Sequence, residues 1–219
     1  AANASAISFV FFISENPSQK TIHGFPAERT LEPGEIAMAQ RLFGNSIDYR
    51  EVRIKVWDAV PLNRPMAPNG HIYFHSQNPK LRTDFSGSTA TFDQRKAFIH
   101  EMTHVWQHHS GRHVILSTLP TQFQNLLSRA VGGNPDAGYD YTLDATKKLS
   151  DYNLEQQGEI LADYYMALYE NGTLPKGRTM AEYQQVLSEF LKDPLYDKKI
   201  RDRYEQERKE QENSAGTHR

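Results

Sequence analysis

Cysteine is absent from this 219-residue chain. That excludes a disulfide framework, a cysteine nucleophile and any thiolate metal site, so a bound metal would have to be held by His, Asp or Glu. A surplus of one charge is also missing. Twenty-five Lys and Arg stand against 27 Asp and Glu, a net charge of -2; this leaves no basic field for a phosphate backbone, and nucleic acid is not an expected partner. Long apolar runs are lacking too. The longest, "AISFVFFI" from Ala6 to Ile13, falls far short of the roughly 20 residues of a membrane span and reads as a buried strand. The preceding "AANAS" carries no positive charge, so no signal peptide is visible. A first residue of Ala1 instead of Met is what a processed chain or a piece of a longer protein would have.

What is present suggests one domain with one core over about residues 1–195, followed by a charged tail over 196–219, helical or disordered, that reads as solvated. No repeat is seen. "LEPGEIAMAQRLFG" predicts a short helix stopped by Gly44, "EVRIKVW" a strand with one wet face, and "AVPLNRPMAPNG", Ala59 to Gly70, a loop. "HIYFH", His71 to His75, is the next predicted strand. Thr91 and Gln94 form a capping box for a helix from about Phe92 to His109, ending at Gly111. Beyond it come a short helix around "PTQFQNLLSRA", a glycine-rich turn, and a long helix from about Tyr152 to Gly172. An amphipathic helix over "TMAEYQQVLSEFLK" is expected to close the core.

The chemistry concentrates in "HEMTHVWQHH", His100 to His109. With about 100° per residue, His104 lies about 40° from His100 and Glu101 about 100° away, while Phe98, Met102, Val105 and Trp106 gather opposite. One face is core and the other presents two imidazoles. A separation of one turn, about 6 Å, lets both converge on one tetrahedral zinc ion, with Glu101 beside it as a general base for water. His108 is expected to face solvent, and His109 to pack at the helix end. The extended motif with a third histidine downstream fails, since Gln107 and Ser110 hold the required places.

A catalytic zinc needs a third protein ligand, and "LEQQGEILADYY" offers Glu155, Glu159 and Asp163 at spacings of four on one face of an otherwise apolar helix. Buried carboxylates need partners. Glu159 is the preferred ligand because Asp163, one turn on, would then accept the free N–H of a ligating histidine; Glu155 is held in reserve. Gly158 either permits close approach of the two helices or is a tolerated defect costing about 1 kcal/mol.

These residues resemble those of gluzincin metallopeptidases: His100, Glu101 and His104 in "HEMTH", Glu159 and Asp163 in "EILAD". The resemblance implies His100, His104 and Glu159 as ligands of one Zn2+ per chain, Glu101 as the base and Asp163 as the orienting carboxylate. It likens His71, Ile72, Tyr73 and Phe74 to the edge strand along which gluzincins align a peptide. More narrowly, Leu31 to Tyr165 looks like the metallopeptidase toxin domains at the C-terminal end of VgrG or Rhs proteins of type VI secretion systems. The implied fold is α+β: a small mixed sheet whose edge strand packs on the HExxH helix, a second zinc-ligand helix, and a helical C-terminal part. The implied function is peptide or amide hydrolysis by a secreted effector acting in a target periplasm, on a peptide, protein or cell-envelope substrate, with a cognate immunity protein as a further partner. Tyr139, Tyr141, Tyr165 and His113 are the candidates to stabilise an oxyanion. Two other readings stand beside this one, a zinc-containing binding module with vestigial catalysis and a resident cell-wall amide hydrolase.

Overall fold

A computed structural model describes residues 21–22, 25–58, 60, 64–78, 84–111, 138–196, 198, 199, 202 and 206. The expected strand over Ala6–Ile13, the helix around 120–130, His113 and most of the tail lie outside them. Among the described residues the fold is α+β. Strands β1 (Thr21–Ile22) and β2 (Phe25–Pro26) form a small antiparallel pair. Strands β3 (Glu28–Thr30), β4 (Arg53–Val56) and β5 (Ile72–Phe74) form a mixed sheet in that order, β3 antiparallel and β5 parallel to β4, with Ile54 opposite both Arg29 and Ile72. No helix of the described residues is long and apolar enough to cross a membrane.

Helix α1 (Pro33–Phe43) begins with proline in its first turn, where the missing N–H is no loss, and ends at Gly44 with φ of 54°. Its fully buried Glu35 takes both guanidinium nitrogens of Arg29 at 2.8 Å, Glu32 N–H at 2.8 Å and Phe85 N–H at 3.1 Å. A buried carboxylate with all its acceptor directions used ties β3, α1 and the approach to the next helix together.

That next helix, α2 (Phe92–His109), is capped as its sequence predicts: Thr91 Oγ1 accepts from Gln94 N–H and the Gln94 side chain accepts from Thr91 N–H. Phe74, Phe85 and Phe98 stack at 6.0 and 5.1 Å between centroids, joining the sheet to α2. At its other end Trp106 packs between Phe43 and Phe190 and donates its indole N–H to Pro194 O at 2.8 Å, which satisfies the polar end of a large buried ring.

Helix α3 (Leu154–Tyr169) starts at an Asn153 and Gln156 capping box and lies along α2. Its stop combines Asn171 at φ of 53° with a Gly172 N–H bonded to Met166 O at 3.0 Å, so the left-handed residue is the asparagine and the glycine fits against Phe92. The single closing helix predicted over Thr179–Lys192 is two, α4 (Met180–Val186) and α5 (Ser188–Lys192), broken at Leu187. Tyr183, Val186, Leu187 and Phe190 are all buried in the core, the i, i+3, i+4, i+7 stripe of an amphipathic helix carried on across the break.

Candidate metal centre

Helices α2 and α3 run in opposite directions where they meet: Lys96 reaches Glu159 and Asp163, His100 reaches Glu155 and Glu159, and Gln107 reaches Leu154 and Gln157. The crossing is close because Gly158 faces His100. A Cβ added there would stand 2.7 Å from His100 Cε1 and 2.8 Å from Nδ1, inside van der Waals contact with the buried ring, so one of the two must shift. Of the two readings of this glycine, close approach is the one the packing bears out. Gly158→Ala is therefore expected to push the imidazole out of place and weaken metal binding by at least tenfold while the far-UV spectrum stays native. Wild-type affinity in that variant, measured by competition with a chromophoric chelator, would contradict the packing argument.

Three donor atoms converge at this crossing. His100 Nε2 and His104 Nε2 lie 3.1 Å apart, and Glu155 Oε2 is 3.3 Å from each. All three residues are buried. A tetrahedron around zinc with ligands at about 2.0–2.1 Å has edges of about 3.3–3.4 Å, so the triangle is already close to the size of a zinc face. The donor set, two imidazoles and one carboxylate, is of the kind a catalytic zinc takes. Beside it, Glu101 is buried, and its Oε2 has no hydrogen-bond partner among the described residues, a costly arrangement for a carboxylate.

The three acids of α3 stand at successive levels along α2. Glu159, the preferred third ligand, lies on the far side of the His100 ring with Oε1 3.1 Å from Nδ1 and Oε2 3.0 Å from Lys96 Nζ. Among the described residues Asp163 meets no histidine: it pairs with Lys96 Nζ at 2.7 Å and accepts from the Tyr141 hydroxyl at 2.5 Å. So Glu155 stands at the cluster, Glu159 behind His100, and Asp163 behind Lys96. The physical reason is where the helices cross, which periodicity alone does not specify.

Lys96, Gln107 and Gln157 have no role in the sequence reading. Lys96 and Gln107 had a usable signal, since they fall about 40° and 20° from His100 on the same helix face. The His104 Nδ1 to Gln107 Oε1 distance is 2.8 Å. Gln157 could not have been found that way.

Of the candidate oxyanion donors, Tyr139 alone among those described lies near the cluster, with its ring centroid 6.0 Å from that of His100 and the Arg64 guanidinium 4.9 Å over its face. Burial first, and then the charge of Glu155, hold its phenol protonated. Tyr141 is engaged with Asp163 and Tyr183, and Tyr165 is fully buried beside Tyr169. The sheet edge is less open than expected. Ile72, Tyr73 and Phe74 are buried, and Tyr73 exchanges both backbone hydrogen bonds with Met66, at 2.8 and 3.1 Å. His71 is half-buried with an unpartnered Nδ1, and desolvation together with Lys55 and Arg53 disfavours its charged form. His108 is exposed and His109 half-buried.

Electrostatically the charged side chains of the cluster offset one another. Burial works against charge on His100, but Glu155 and Glu159 outweigh it and raise its pKa to about 10; His104 is raised likewise against burial, chiefly by Glu155. Glu155 and Glu159 are driven down against burial, Glu155 by His104 and His100, Glu159 to about 2 by His100 and Lys96. Burial lifts Glu101 above the usual carboxylate range, partly offset by the two imidazoles. A metal must displace imidazole protons. Because both folded-state values lie above the free value, protons compete at neutral pH and less so as pH rises towards 10. Zinc affinity is expected to rise with pH and binding at pH 7 to release protons, measurable by titration calorimetry in buffers of different ionisation enthalpy. Buffer-independent heats would contradict this.

No family model matches the chain. Over 149 residues it is 43% identical to the type VI secretion system spike protein VgrG2b of Pseudomonas aeruginosa, a match that takes in 67% of this chain and 14% of that protein. The chain thus spans about one-seventh of the length of this curated relative. Among solved structures, the effector domain of Pseudomonas aeruginosa VgrG2b is similar at 39% identity and a TM-score of 0.55, covering 73% of this chain and 82% of that one. With four-fifths of that domain spanned at this identity, the chain belongs to the family of the VgrG2b effector domain.

Proposed function

We propose that this domain is a zinc-dependent metallopeptidase, the effector part of a VgrG-type spike protein of a type VI secretion system, hydrolysing peptide or other amide bonds in the periplasm of a target cell. The observation that carries the reading is the buried triangle of His100 Nε2, His104 Nε2 and Glu155 Oε2 with Glu101 beside it, its Oε2 without a hydrogen-bond partner among the described residues. These three atoms would hold one zinc ion per chain. Bound there, zinc supplies Lewis acidity towards an amide carbonyl and towards water.

The chain's own residues do the rest. Glu101, adjacent to His100 on α2, takes a proton from the attacking water and passes it to the leaving amine; a carboxylate whose pKa is lifted by burial suits both halves of that task. Glu159 flanks the outer nitrogen of His100 as a charge partner, Oε1 3.1 Å from Nδ1, with Lys96 fixing Glu159 in turn. Tyr139, kept protonated beside the cluster, is the residue placed to donate to the developing oxyanion. A substrate strand would align on β5 at the His71 end, since Met66 already occupies Tyr73. A cognate immunity protein would protect the producing cell.

The test is removal and return of the metal. Chelation is expected to abolish hydrolysis of unstructured protein or of cell-wall peptide fragments, and one equivalent of zinc to restore it. Hydrolysis that survives complete metal removal would overturn the proposal.

A further inference from the structure

Two buried glutamines decide which nitrogen of His104 carries its proton. Gln157 Nε2 donates to the backbone carbonyl of Tyr152 at 2.7 Å. A carbonyl only accepts, so the orientation of this amide is fixed and its Oε1 must face the other way. There it receives Gln107 Nε2 at 3.0 Å, and the same amino group lies 3.2 Å from the carbonyl of Leu154. Turning the Gln107 amide over would set an oxygen against two acceptors. Gln107 Oε1 is therefore held towards His104 Nδ1, 2.8 Å away, which must be an N–H.

From this chain of directions we infer that Gln107 and Gln157 are positioning residues that impose the Nδ1–H form on His104, leaving Nε2 as its metal-binding atom, and at the same stroke dock the start of α3. The inference rests on the metal-centre reading for its use, though the hydrogen-bond order itself does not need a metal. Both glutamines are fully buried, so no water competes for their amides. Gln107 grips Leu154 O, the residue before Glu155, so the amide that orients one ligand also sets the height of another. The two histidines are thereby treated differently: His100 has a carboxylate, Glu159, behind it and His104 a neutral amide. The neutral partner spares the buried site a further negative charge.

The experiment compares wild type, Gln107→Leu and Gln107→Glu by long-range 1H–15N NMR of the histidine rings and by zinc affinity, with circular dichroism to confirm folding. In wild type a slowly exchanging His104 Nδ1–H is expected with and without zinc. Gln107→Leu removes the acceptor and should lose that proton's protection and about 10–100-fold in zinc affinity. Gln107→Glu keeps an acceptor facing Nδ1 but sets its other oxygen against Leu154 O and Gln157 Oε1, so it should retain the protected proton while losing zinc affinity with the docking of α3, which separates the orientation of His104 from the placing of the helix. A His104 bearing its proton on Nε2 in the metal-free, unprotonated state, or Gln107→Leu indistinguishable from wild type in both measurements, would overturn the inference. Absence of zinc binding by wild type with the protected Nδ1–H still present would instead overturn the metal-centre reading alone.

Discussion

Glu101→Gln is expected to keep about one zinc per chain and to lower amide hydrolysis by about 10²–10⁴-fold, the usual contribution of a positioned general base. The substitution is isosteric and Glu101 is not one of the three converging donors, so the triangle of His100, His104 and Glu155 should persist. What is lost is the acceptor for the water proton. The side chain is buried and, among the described residues, its Oε2 has no hydrogen-bond partner. Single-turnover hydrolysis, together with metal content of the same sample, checks both halves. A variant with zinc and undiminished activity would remove Glu101 from the base role; if such a variant also matched wild type in toxicity, the domain would act by binding and the vestigial-site reading would take over.

Glu155→Ala is expected to cost far more metal affinity than Glu159→Ala. Removing one ligand from a zinc site with roughly 10–16 kcal/mol of binding shared among its ligands costs about 3–4 kcal/mol, or about 10²–10³-fold. Losing a carboxylate behind a ligating histidine costs about 10–100-fold. The ranking follows from geometry: Glu155 Oε2 is 3.3 Å from both Nε2 atoms, while Glu159 stands at the outer nitrogen of His100 and at Lys96. The reverse ranking, read by competition with a chelator of known affinity, would restore Glu159 as the third ligand and require the helices to cross one turn away from where they are placed.

The parts of the site legible in the sequence are those confined to one helix. The spacing of His100 and His104, the flank of Glu101, and the cap at Thr91 with Gln94 all follow from helical geometry within α2. The third ligand does not, because Glu155, Glu159 and Asp163 repeat at one turn and are equivalent until a partner helix selects a level. That level is set by contacts between helices: Gly158 against the His100 ring and Gln107 on the carbonyl of Leu154. Of these, the glycine was visible as an anomaly in the helix. Its meaning needed the second helix. The sheet tells the same story, since β5 was readable as a strand while its cover by Met66 comes from a loop whose path no periodicity encodes.

Membership of the VgrG2b effector-domain family gives the site a setting, and the chemistry proposed for it stands on the four residues at the helix crossing. The most direct measurement is metal content per chain, by elemental analysis of protein purified without added metal or chelator, alongside Glu155→Ala prepared the same way. About one zinc per wild-type chain and none in the variant is the expected result. No zinc in the wild type, even after reconstitution, would mean that the triangle of His100, His104 and Glu155 is held together by protons alone and that the domain does not work as a metalloenzyme.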